Sequence, residues 1–107
     1  NRSQIPEHFR GISEEHIIQN HVANHYLYLS SNSNIVLPAI TASELTIIIK
    51  QNHEALFTLT WPDNILWENN VAHMITAAKN SMDVVKLFSL PETNHFLGKI
   101  ISQNHQF

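Results

Sequence analysis

Eight of the 107 residues are histidine, and their spacing is the first place to look for chemistry. His21 and His25 are four apart, so on a continuous helix they would share a face, with Glu14 or His16 adding a further ligand for a zinc ion. The residues between them lack the glutamate of a His-Glu-x-x-His metalloprotease. Both histidines also border an apolar stripe of Ile18, Val22 and Leu29, where a part-buried, hydrogen-bonded ring is the commoner role. His73 has the chemistry of a general base, yet no nucleophile or orienting acid adjoins it in sequence. It is read as structural, so no catalytic, cofactor-binding or metal-ligating residue is assigned.

A third constellation is apolar. Trp61, Ile65, Leu66 and Trp67 crowd a connection between two similar segments, and an exposed tryptophan loop is a natural anchor for a partner. Asp63, Asn64, Ile65, Trp67 and Glu68 are accordingly assigned to partner binding, while Trp61 is read as packing between units.

Composition narrows the function further. Six Lys and Arg against nine Asp and Glu leave a net charge of −3, with the cations scattered, which is not the footprint of a nucleic-acid binder. Gly11 and Gly98 are the only glycines, and neither lies in a phosphate-cradling loop. The absence of cysteine removes thiol catalysis and disulfides and fits an intracellular site of action. No apolar run approaches the ~18–20 residues of a membrane-spanning helix. A hydrophobic content of 43% is enough for one domain over 1–107, and the start at Asn1 suggests a piece excised from a longer chain.

The elements that would position these residues read as helices. Ser13-Glu14-Glu15-His16 has the character of a helix start, and Ile17, Ile18, Val22, Tyr26 and Leu29 follow at near-helical spacing. Whether Asn24-His25 divides 13–30 into two helices stays open. Thr41-Ala42-Ser43-Glu44 has the form of a capping box, followed by a stripe of Leu45, Ile48 and Ile49 and a second of Ala55, Leu56 and Leu59. Lys50 to Asp63 aligns without a gap on Lys79 to Glu92, 29 positions on, keeping charge, apolarity and proline in register. A fixed period in this range points to stacked repeats. The expectation is an all-α array of stacked helix-turn-helix units at about 13–40, 41–69 and 70–98, with a C-terminal helix at about 94–104.

Asn70-Val71-Ala72-His73, then Ala77-Ala78, a polar turn and Met82-Asp83-Val84-Val85-Lys86-Leu87-Phe88, resembles the ankyrin repeat. In that family the T-x-x-H positions hold the first helix, and the resemblance gives Asn70 and His73 that duty. Units of 29 rather than about 33 residues and a missing G-A-D-x-N tail depart from the pattern. The resemblance extends to divergent ankyrin-like units in secreted effectors of intracellular bacteria such as Legionella, which would place the protein in a host cytosol. It implies a non-catalytic protein-interaction module that binds another protein, with no cofactor, nucleic acid or membrane. The alternatives are an accessory helical domain of a larger enzyme and a histidine-based metal-binding domain.

Overall fold

A computed structural model describes residues 9–19, 22–38 and 43–106, and what it describes is a sheet. Seven strands run in chain order: β1 (Arg10–Ile17), β2 (Asn24–Val36), β3 (Glu44–Lys50), β4 (Leu59–Thr60), β5 (Ile65–Trp67), β6 (Met82–Ser89) and β7 (Phe96–His105). Among the described residues the only helical element is a 3-10 turn at Glu68–Asn70. The sheet is mixed, ordered β1-β2-β3-β6-β7-β5, with β4 pairing β2 off this path.

The all-α expectation is therefore wrong, and the ankyrin resemblance and the helical-repeat effector reading fall with it. Residues 13–17 belong to β1 and 24–36 to β2, so no helix runs from Ser13 to Leu29. The supposed C-terminal helix at 94–104 falls largely on β7. Thr41 and Ala42 of the expected capping box lie outside the described residues, but the stripe that follows them is β3. Lys50 to Asp63 spans the end of β3, a loop and β4, whereas Lys79 to Glu92 is a turn and β6. The two segments are alike in sequence and unlike in fold.

The physical reason is clearest in β3. Leu45, Ile47 and Ile49 are buried in strict alternation, and Thr46 to Ile49 are all β-branched, which suits a pleated, part-buried surface better than a helix. Antiparallel pairing then sets Leu45 against Leu87 and Ile47 against Val85, while parallel pairing sets Leu27 against Ile49. These inward residues, with Ile12, Leu29, Ile35 and Phe96, make one continuous core.

Parallel neighbours usually need a crossover of a dozen or more residues. Here β1 and β2 are joined by 18–23 alone. Ile17 lies opposite Val36, and Asn24 is twelve residues back along β2. A straight strand would place Asn24 roughly 40 Å from Val36, whereas the connection from Ile17 spans at most about 25 Å. β2 must therefore bend.

The register shows where. Between two consecutive pairings, β1 advances from Ile12 to Glu14 while β2 advances from Leu29 to Ser33. In the next layer β2 advances from Tyr28 to Ser33 while the chain runs from Lys50 to Leu59. Each layer turns a corner, and the corner widens through the stack. Hydrogen bonds link the layers there: Glu14 N donates to Ser31 Oγ at 3.2 Å, Thr58 N to Asn32 Oδ1 at 2.9 Å and Ser33 N to Thr58 O at 2.9 Å.

Asn52 does most at the outermost corner. Its Nδ2 donates to Leu29 O at 3.0 Å, and its Oδ1 accepts from Glu54 N at 2.8 Å and Ala55 N at 3.3 Å. Replacing Asn52 with Ala should lower the unfolding free energy by about 1–2 kcal/mol in a urea titration. Asn52→Asp, which keeps the acceptor and loses the bond to Leu29, should fall between the two.

Candidate functional site

β6 turns Asp83, Val85 and Leu87 towards the core, so a carboxylate occupies a position its neighbours give to aliphatic side chains. A charge there is tolerable only if it is fully hydrogen-bonded. Asp83, 2% exposed, meets that condition. Its Oδ2 accepts from His73 Nε2 at 2.9 Å and from Thr76 N at 2.8 Å, and its Oδ1 accepts from the Thr76 hydroxyl at 2.8 Å and from Asn104 N at 3.0 Å. Burial pushes the carboxyl upwards, but the bonds from His73, the Asn104 amide and Thr76 outweigh it and hold the group at about 2, against an ordinary 3.8. Because an ionised carboxylate only accepts, the bond also fixes His73 with its proton on Nε2.

These bonds pin a strap, residues 71–78, that belongs to no strand. Along it His73 is buried and Ile75 packs on the core, while Val71 and Met74 are 66% and 86% exposed. The carbonyl of His73 accepts from Trp61 Nε1 at 3.0 Å, which ties the strap to the segment after β4. Trp61 in turn meets Trp67 edge to face, with ring centroids 5.3 Å apart and planes at 67°. The ring of Trp67 lies against the backbone of β7. A Cβ on Gly98 would come within 2.7 Å of both Trp67 and Ile65, so only glycine leaves room for them.

Strap, tryptophans and the turn after β4 line an open cleft of about 560 Å³. Leu59, Trp61, Ile65 and Trp67 supply its apolar lining, Thr58, Thr60, Asp63 and Asn70 its polar groups, and Met74 its lip. That volume lies in the usual range of ligand pockets.

Of the residues expected to bind a partner, the cleft gathers Asp63, Ile65 and Trp67. Asp63 is exposed, Trp67 half-buried and Ile65 part of the core. Asn64 lies elsewhere: its Nδ2 donates to Asn94 O at 2.9 Å and its carbonyl accepts from Phe96 N at 2.9 Å, a duty in the fold. Glu68 sits exposed in the 3-10 turn, outside the cleft lining.

Sequence reasoning missed Thr58, Thr60, Asn70 and Met74 as lining residues. It also misjudged how His73 serves the structure: the ring binds Asp83 rather than holding the start of a helix with Asn70. The alternation of Asp83 with Val85 and Leu87 was the signal that could have found this pair. Of the histidines expected to share a helix face, His21 lies outside the described residues, and His16 and His25 together line a separate, smaller cavity. Among the described residues no three His, Asp or Glu side chains are grouped to hold a metal ion.

The depressed Asp83 predicts a particular acid response. A carboxyl held below its unfolded value stabilises the fold fully above pH 3.8 and loses that contribution as pH falls through about 2. The loss should be on the order of 2 kcal/mol, read as a falling urea midpoint between pH 4 and 2. Asp83→Asn should already be destabilised at pH 7 by about 2–4 kcal/mol and should lack this component of the acid dependence. No protein-family model, curated protein or solved structure matches the chain, so its function rests on the arrangement of these side chains alone.

Proposed function

We propose that this is a non-catalytic binding domain that takes an extended segment of another protein, seating an apolar side chain of that segment in the cleft beside Trp61 and Trp67. The observation that carries this reading is the exposed methionine at the cleft lip. A residue 86% exposed gains nothing from the fold of its own chain, and a flexible thioether beside an apolar pocket is well suited to adapt to a partner. Val71, 66% exposed on the same strap, extends the apolar surface. Asp63, exposed and part of the lining, and a chain net charge of −3 favour a partner with a Lys or Arg next to its apolar anchor. His73 is already committed through Nε2 to Asp83, a role in holding the strap that supports a binding rather than a catalytic duty.

The test exploits the fact that both tryptophans of the chain line the cleft, so intrinsic fluorescence reports on it directly. A random dodecapeptide phage library would be panned on the wild type and counter-selected on Met74→Asp, an exposed change expected to shift stability by no more than about 0.5 kcal/mol. Enriched peptides should carry an aromatic or aliphatic residue beside a basic one. Synthesised, they should shift the tryptophan emission saturably, with affinity weakened at least tenfold by Met74→Asp and by Asp63→Lys. Failure to enrich any peptide over the counter-selection, or binding that leaves the emission unchanged, would overturn the reading.

A further inference from the structure

A second cavity, of about 190 Å³, collects the cationic side chains of the first layer: Arg10 and His16 from β1 and His25 from β2, with the amides of Gln19 and Asn24 beside them. On a straight strand Arg10 and His16, six residues apart, would be separated by roughly 20 Å. The corner of β1 at Glu14, which takes a left-handed φ of 62°, brings both to the same cavity. We propose that this cavity is a binding site for a small oxyanion of phosphate or sulfate chemistry, filled when the two imidazoles are protonated.

Three observations support it. The first is charge. Burial lowers the pKa of His16, and the neighbouring His25 and Arg10 lower it further, so the charges acting on that ring are cationic. Burial also lowers His25, while its bond to the Val22 carbonyl partly opposes this. Among the described residues the nearby carboxylates are otherwise placed: Glu14 and Glu15 on β1 are exposed, Glu15 alternating with His16 across the strand, and Glu44 on β3 pairs with Lys86 at 3.2 Å.

The second is geometry. His25 Nε2 lies 2.9 Å from Val22 O and donates to it, which leaves Nδ1 as a bare lone pair in the neutral ring and as a new N–H donor once the ring is protonated. The third is size: the cavity is below the roughly 300 Å³ at which drug-sized ligands begin to fit, and suits a compact ion. An oxyanion would relieve the repulsion among the three cations and satisfy a fork of guanidinium donors. A zinc ion would sit beside Arg10 with no carboxylate among the described lining residues to offset it. His21, in the adjoining connection, lies outside the described residues.

The direct experiment follows the imidazole Cε1–H resonances of the full chain by NMR, titrating sodium sulfate at constant ionic strength at pH 5.5 and 7.5. Sulfate is chosen because its charge is the same at both values. His16 and His25 should shift saturably at pH 5.5, and the affinity should fall at least tenfold at pH 7.5, since each proton taken up with the ligand weakens binding about tenfold per pH unit above its pKa. Inorganic phosphate should compete at pH 5.5, and Arg10→Gln should weaken sulfate binding at least tenfold without moving Tm. Non-saturating drifts, equal affinity at the two pH values, or equal affinity in Arg10→Gln would overturn the proposal. Acetate binding as tightly as sulfate would overturn the tetrahedral assignment, and zinc shifting both rings at pH 7.5 in preference to sulfate would replace it with a metal site.

Discussion

One buried carboxylate holds together the parts of this domain that the sheet ladder leaves loose. Asp83 sits on β6, yet its four hydrogen bonds reach the strap at His73 and Thr76 and β7 at Asn104. The strap belongs to no strand, so these bonds do for it what backbone pairing does for a strand. Taking any donor away leaves a buried charge less than fully compensated, which is why such a group holds its surroundings in a single arrangement. The cleft inherits that rigidity. One wall is the strap that Asp83 fixes, and the other is the tryptophan pair tied to the strap through the His73 carbonyl.

The second constraint is the short reach between parallel strands. Connections of a few residues cannot return along a straight strand, so the layers bend, and polar side chains gather where they do. Ser31, Asn32 and Asn52 link one corner to the next. Neither glycine has positive φ; Glu14, Asn69, Asn70, Asn80, Glu92 and Asn104 take the left-handed positions instead. Asparagine accepts that conformation better than most side chains, and its abundance here does work that glycine does in other sheets. Asn104 shows the economy of this, turning its amide to Asp83 from a left-handed position within β7.

How far the fold could be read in advance depends on the strand. β3 was legible, since Thr46 to Ile49 is a β-branched run and Leu45, Ile47 and Ile49 keep a period of two. It was obscured because Ile48, half-buried on the other face, is also apolar, and a stripe of Leu45, Ile48 and Ile49 imitates helical spacing. β2 was harder. Its inward positions His25, Leu27, Leu29, Ser33 and Ile35 keep a period of two through the corner, but two of them are polar and Tyr28, between Leu27 and Leu29, is buried as well, so no alternation of apolar residues marks the strand. The similarity of 50–63 to 79–92 was real in letters, but its matched apolar residues fell on different elements. For the cleft, Trp67 and Asp63 stood out in sequence. Met74 did not, because a strap outside every ladder leaves no periodic mark, and its place at the lip depends on a bond from His73 to a residue ten positions later.

Everything proposed for the cleft rests on the strap being a fixed wall, and the amide of Thr76 reports on that most directly. Native-state hydrogen exchange should find the Thr76 and Asn104 amides, both bonded to Asp83, protected at pH 5 to nearly the extent of the Val85 amide in the core. As pH falls towards about 2 and the carboxyl is protonated, their protection should fall ahead of that of Val85. A Thr76 amide that exchanges at the unprotected rate at pH 5 while Val85 stays protected would show a free strap and contradict the claim.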